Sequence, residues 1–433
     1  MSSPAAGARD GAREMNDAQL QAALAADGEL WRDFLALCDC GGRQAGSASE
    51  RAALKLVHER LAQIDARARS ERVSYAGWRC REATLALEGG QQLACNALLG
   101  SAPTPAQGIT TEVVDLGRGT AEDFERHASA IASRLVLVRH EFPFSTTHVH
   151  RRRKYGWATE RGAAGFIIAN PWPGSGPVSG SSGRGGQAGI PAVATDFESA
   201  ARLAAQGSRR ARARLVLAGD DYAADTNVIV LDLPGQSDAW VALSAHVDGH
   251  DLAESALDNA TGVVVALAVA RAVAPLIAHC RRGLRVCFFS AEEWALAGSR
   301  QYVDRMSARE RDAIALNINL DTVGGDTHLT ALTSEFPQLD AFAQNAAGPA
   351  LGVYRPMMAN SDHYNFARHG IPALRLVAGF DRPQSNVRHI LTCGDTRDKT
   401  SPAELKSAAA LAATLLWRAL NADDETMAAL RRH

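Results

Sequence analysis

Apolar and polar positions change their rhythm three times along the chain. From about Asp17 to Asp65 the apolar residues recur at a helical period, in LQAALAADGELWRDFLALC and then ERAALKLVHERLAQI. Two short strand-like pieces follow, RVSYAGW and EATLALE. From about Gly100 the strand-like runs RLVLVRH, AGFIIAN, IPAVAT and ARLVLAG are separated by loops rich in Gly, Ser and Pro. Two helical pieces, AEDFERHASAIA and FESAARLAAQ, lie among them. That stretch reads as a small β-rich module. From Asn227 onward, VIVLDLP, WVALSAH, LRVCFFS, ALNINLD and ALRLVAG are apolar strands, most of them separated by helical stretches. This alternation predicts an α/β domain whose twisted, mostly parallel mixed sheet is covered by helices on both faces. The expected organisation is a disordered leader over 1–16, a discontinuous main domain over 17–99 and 223–433, and an inserted module over 100–222.

In an open α/β sheet, ligands gather beyond the carboxyl ends of the strands. WVALSA runs into His246-Val247-Asp248, with Asp258-Asn259 ten residues on. LRVCFFSA runs into Glu292-Glu293, AIALNINL into Asp321, and ALRLVAGF, after a loop, reaches His389. Carboxylates converging on one edge repel and raise one another's pKa unless a cation lies among them. Imidazole with carboxylate is a zinc-type ligand set. The candidates exceed what one ion needs, and a shared carboxylate can bridge two. The adjacent glutamates point in different directions, so one suits metal binding and the other suits proton transfer with the attacking water. Alone, an EE pair is usually solvated surface and an Asp after a strand is often a helix N-cap. Several at one edge, in order, carry the argument.

Composition narrows the picture. The chain has 433 residues, 46% hydrophobic and 22% charged, with a formal net charge of -2. That balance suits a soluble enzyme and gives no electrostatic case for nucleic acid. Seven cysteines without a CxxC pair suggest free thiols, a reducing compartment and a cytoplasmic location. The N-terminal stretch lacks an apolar signal core. TGVVVALAVARAVAPLIAHC is interrupted by Arg271 and Pro275, which predicts a buried helix rather than a membrane span.

At these residues the chain resembles the co-catalytic di-zinc aminopeptidases, a family that includes bacterial leucyl aminopeptidases and the related glutamate carboxypeptidases. The resemblance rests on SAHVDGHDLAESALDNATG, FFSAEEWALAGSRQYV, NINLDTVGGD, SDHYNFARHGIP and GDTRDKTSPAEL, spanning about Asn227 to Leu405, with LCDCGGRQAGSASERAA near the N-terminus. RLVLVRH, RGAAGFIIAN and IPAVA resemble signposts of a protease-associated domain. The resemblance implies a metal-dependent exopeptidase acting on peptides, most simply an aminopeptidase, holding two zinc ions that manganese or cobalt could replace. It implies that Asp258 bridges the ions, that His246 and Asp321 complete one site, and that Glu293 serves the other. Glu292 would be the general base, and Asp248 would orient His246.

One position departs from the family. The imidazole expected before the Asp-Thr element is Leu391, in NVRHILTCGDT. His389 lies two residues earlier, and because a shift of two keeps the same side-chain face if that loop is strand-like, it is the first candidate to replace it. His363 is the second, and a weakened or absent second metal is the third. The same site could serve a carboxypeptidase or dipeptidase, depending on cationic groups in the substrate pocket. A metal-poor relative that only binds peptides is the reading from a different class. The HxH of His148–Trp157, if on a strand, puts both rings on one face and could take a metal, but with its basic run it reads first as a solvated face of the module. RRARAR (Arg209–Arg214) reads as a charged edge strand.

Overall fold

The structure, a computed structural model, describes residues 18–204 and 211–431. The leader expected over 1–16 lies outside the described residues.

The chain opens with helices. α1 (Glu29–Asp39) buries Leu30, Phe34 and Leu37, and α2 (Ala48–Ile64) buries Ala53, Leu54, Val57 and Leu61. Ser47 caps α2 by accepting from the Glu50 N–H. Twelve strands then carry the architecture: β1 (Arg69–Leu87), β2 (Ile109–Asp115), β3 (Leu135–Arg139), β4 (Gly165–Ala169), β5 (Ala192–Thr195), β6 (Arg212–Leu233), β7 (Trp240–His246), β8 (Gly283–Phe289), β9 (Ile314–Leu320), β10 (Leu329–Leu332), β11 (Gly352–Tyr354) and β12 (Ala373–Ala378).

Their order in the sheet is β11-β10-β12-β9-β7-β8-β6-β2-β3-β4-β5. The centre is parallel: β7 pairs with β8 and β9, and β9 pairs with β12. All four therefore deliver their carboxyl ends to one edge. β6 joins this sheet antiparallel to β8, pairs with β2 further along that same side, and pairs with β1 along its other side. In the inserted module β2, β3, β4 and β5 run parallel to one another.

Two sequence expectations change here. The separate pieces RVSYAGW and EATLALE are one strand, β1, and ARLVLAG continues unbroken through GDDYAADT into NVIVLDL as β6. The change of texture at Asn227 thus falls inside a strand. β1 and β6 pair from Arg69↔Val230 to Leu87↔Ala213, with one register shift between Cys80 and Glu82. Backbone pairing satisfies the polar middle of the ribbon, so it needs no apolar face there. The second change concerns Arg212 and Arg214. They are not on an edge, because β6 is paired with β1 on one side and β2 on the other at these positions. Both arginines point to the exposed face.

The apolar run beginning at Thr261 forms a helix, Thr261–Val273, in which Val263 to Ala270 are all buried. It packs against the long C-terminal helix Pro402–Asn421 and the sheet within the main core. The opposite face of the sheet is covered by Tyr302, Val303, Met306 and Phe366. The inserted module has its own apolar cluster, with Phe124, Val136, Val138, Phe166 and Ile168 at its centre.

Candidate active site

His246, the last residue of β7, is buried at the carboxyl edge of the sheet, behind Asp258 and Asp321, which line a cavity there. Its Nδ1 lies 3.0 Å from the backbone oxygen of Asp248 and 3.6 Å from that residue's Oδ1. Donation from Nδ1 to the carbonyl leaves a lone pair on Nε2. Nε2 faces Asp258 Oδ1 at 3.2 Å and Asp321 Oδ1 at 3.5 Å, yet has no hydrogen-bond partner. Burial opposes a charge on this ring, but Asp321 and Glu292 outweigh it and hold its pKa well above the usual value. His246, Glu292 and Asp321 offer ligand atoms within 4.8 Å of one another, and among the described residues no other such group of three occurs.

Glu292 and Glu293 follow β8 directly. The Asp248 carboxylate accepts from both of their backbone N–H groups, at 3.0 and 3.2 Å. Asp248 therefore aims the glutamates with its side chain, while its carbonyl meets His246. Gly298 lets the following turn close: a Cβ there would lie 1.9 Å from the Ser290 carbonyl oxygen. Burial raises the Glu292 carboxyl well above its ordinary range, and Glu293 adds to that. Burial, then Asp258, pushes Glu293 up to about 8. Asp321 shifts the other way. Burial would raise it, but the Arg375 guanidinium, 3.0 Å from its Oδ2, and His246 hold it below the usual range. Glu293 Oε1 is buried and has no partner.

Residues that lie within the quoted motifs, but to which the sequence assigned no role, brace this floor. Arg43 is fully buried and donates to the carbonyls of Val247, Glu254 and Ser255 at 2.8, 2.6 and 2.6 Å, clamping the loop that leads to Asp258. Asp395 accepts from the backbone N–H groups of Leu257 at 2.7 Å and Asp258 at 3.3 Å. Burial pushes Asp395 up to about 8. Asp362 is buried beside the cluster with neither oxygen hydrogen-bonded. Burial raises it to about 7.

The structure does not bring His389 to this group. It ends a short turn, Asn386–His389, and is half-buried beside Arg388, Lys399 and Asp398. The two-residue shift assumed a strand, and this segment is helical. Ile390 and Leu391 form the cavity wall instead. Leu391 has a left-handed backbone, φ 60°, and its carbonyl accepts from Ser179 of the inserted module at 2.7 Å. His363 is fully buried, with both ring nitrogens unpartnered and Arg375 and Asp321 as charged neighbours. Burial lowers it to about 3.

The largest departure from expectation is the HxH segment. It is neither a strand nor a solvated face. His148 and His150 lead into the helix Arg151–Glu160, and His150 Nδ1 accepts from the Arg152 N–H at 3.1 Å. With His140, Arg151 and Arg152 they roof the cavity over Asp258, Glu292, Glu293 and Asp321. Both ring nitrogens of His148 are buried without a partner, and burial lowers its pKa to about 4, so the ring is neutral. Arg151 is buried and donates from Nε to the Ser181 carbonyl at 2.9 Å. The basic run beside HxH was the available signal for this roof.

Comparison with known proteins agrees with the architecture. Residues 227–416 match the profile of peptidase family M28, and residues 103–203 match that of the PA domain. Aminopeptidase YwaD of Bacillus subtilis is 26% identical over 374 residues, which cover 81% of this chain and 77% of that protein. Probable lipoprotein aminopeptidase LpqL of Mycobacterium tuberculosis is 27% identical, covering 69% of this chain and 62% of that one. Among solved structures, a peptidase M28 precursor from Shewanella amazonensis superposes with a TM-score of 0.77 at 22% identity, covering 95% and 98% of the two chains. The zinc aminopeptidase BSAP of Bacillus subtilis superposes with a TM-score of 0.72 at 24% identity, covering 92% and 96%.

Proposed function

The chain belongs to peptidase family M28 and carries an inserted PA domain, and from that premise we propose that it is a zinc-dependent aminopeptidase whose water is activated by Glu292. The observation that carries this reading is a pair of orphaned atoms. His246 Nε2 and Glu293 Oε1 are buried, unpartnered and set among carboxylates. A divalent cation fits that donor set of one imidazole and several carboxylate oxygens, taking the place of the proton that the carboxylates otherwise favour on His246.

His246, Asp258 and Asp321 would hold one ion, and Glu293 with a shared Asp258 would hold a second. The second position draws no imidazole from Leu391. Zinc bound here supplies Lewis-acid polarisation of the scissile carbonyl and lowers the pKa of water. Asp248 holds the His246 ring and the two glutamate backbones in register. Glu292 takes the proton of the attacking water and returns it to the leaving amine, a transfer suited to a carboxyl raised above its ordinary range. The acidic floor attracts the substrate's free ammonium group. Arg375 pairs with the outer oxygen of Asp321, leaving Oδ1 turned to the site. Seven unpaired thiols support a reducing, cytoplasmic setting as part of the same proposal.

The test pairs turnover with metal content. Leucyl peptides with free N-termini should be cleaved, N-acetylated ones should not, and zinc per chain should exceed one. Cleavage of blocked peptides at their C-termini would favour a carboxypeptidase instead.

A further inference from the structure

A second cavity of about 690 Å³ adjoins the catalytic one, of about 70 Å³. The two share His148, His150, Arg152, Ala295, Leu296 and Asn360 as walls, so the larger is a groove leading from the acidic floor. Its charge is opposite to that floor. Arg152, Arg153, Arg300 and Arg368 line it with two histidines, and no carboxylate does. Arg153 lies over the Trp157 ring, and Arg368 is paired with Asp304 outside the lining. Arg300 is exposed and forms no ion pair among the described residues. Burial disfavours the charge of Arg152, Glu292 and Glu293 of the adjoining floor favour it, and Arg300 opposes it from the groove side, so the two guanidinium groups share a groove whose own lining holds no carboxylate. Arg152 also donates to the Ala359 carbonyl at 3.1 Å, which ties the inserted domain to the sheet domain across the groove.

An aminopeptidase that draws the free amine to its acidic floor must let the rest of the peptide leave the floor. The adjoining groove is the room available. We propose that this groove holds the leaving end of the substrate and that Arg152 and Arg300 select peptides carrying a carboxylate there. The inference rests on the aminopeptidase reading and gives it a substrate class. Two sources of carboxylate satisfy the chemistry: the C-terminus of a short peptide or an acidic side chain in a longer one. Two or three extended residues span about 7–10 Å. A short zwitterionic peptide would thus set its ammonium over the carboxylates and its carboxylate among the arginines.

The experiment compares three peptides with the same N-terminal leucine on zinc-loaded, full-length protein: Leu-Ala-Ala as free acid, Leu-Ala-Ala amide, and Leu-Asp-Ala amide. The free acid, the aspartyl amide or both should exceed the neutral amide in kcat/KM by about tenfold, mainly through KM, with the gap narrowing as salt rises. Which of the two is favoured identifies the source. Arg300→Gln, at an exposed position, and the Arg152→Gln/Arg300→Gln pair should shrink that ratio. Equal kcat/KM for all three peptides overturns the subsite and leaves the aminopeptidase reading standing. A preference that persists undiminished in both variants also overturns it. Cleavage of none of the three overturns the aminopeptidase reading, and the subsite falls with it.

Discussion

The floor and the roof of the cavity are built on different physics. The floor is built on the strand ends of one parallel sheet, and its side chains are buried carboxylates and an imidazole, of which His246 Nε2, Glu293 Oε1 and both Asp362 oxygens have no partner. The roof is a loop and helix start from the inserted domain, and its side chains are arginines and neutral histidines. The floor is positioned by a rigid ladder, so its geometry survives the mutual repulsion of its charges. The roof is positioned by single hydrogen bonds, such as Arg151 to Ser181 and Arg152 to Ala359. Chemistry that needs fixed geometry therefore belongs to the floor, and selection among substrates belongs to the roof.

The strongest way to break this division is Glu292→Gln. It should lower kcat by about a thousandfold, within the range of general acid–base catalysis, while zinc content measured by mass spectrometry is unchanged. Retained turnover would take Glu292 out of the mechanism.

Metal removal comes next. Burial raises Glu293 to about 8 and Asp362 to about 7. A carboxyl whose folded pKa is raised favours the fold fully below its unfolded pKa and loses that contribution as pH rises through the folded value. Chelated protein should therefore unfold at progressively lower temperature between about pH 5 and pH 8. Zinc should reverse the loss, by about 2.7 kcal/mol at a hundredfold excess over its Kd. A metal-free melting temperature that is flat over this window, read by calorimetry, contradicts the burial of these groups.

Asp395→Ala should act indirectly. It leaves the Leu257 and Asp258 N–H groups unpaired beside the shared carboxylate, and zinc affinity should fall about 10- to 100-fold. A zinc titration with a competing chelator reads this directly. Leu391→His should sharpen the floor by adding the missing imidazole, raising occupancy of the second ion at limiting zinc. His389→Ala should leave metal content unaltered, since its charged neighbours are Arg388, Lys399 and Asp398. A drop of one ion in that variant would place His389 back in the site.

Much of the floor was legible in the residues because a strand's carboxyl end is a local property. An apolar run followed by HxD, by EE or by Asp states where the strand stops and what stands there. The ribbon of β1 and β6 was not legible, since GDDYAADT lacks an apolar pattern and is held by pairing with a distant strand. The His389 argument assumed a local strand, and the backbone turns there instead. The roles of Arg43, Asp395 and the roof were not legible for one shared reason. Their partners lie far off in sequence, as with Arg43 and Ser255 or Arg152 and Ala359.

The sequence alone determined the parallel sheet, the helices on its faces, the inserted module and the acidic edge, because period and strand-end chemistry are written within short windows. Tertiary structure decided what lies over that edge. A hydrogen bond from Arg152 to Ala359 spans 207 residues, and no pattern along the chain encodes the direction in which a loop from one domain meets the strand ends of another.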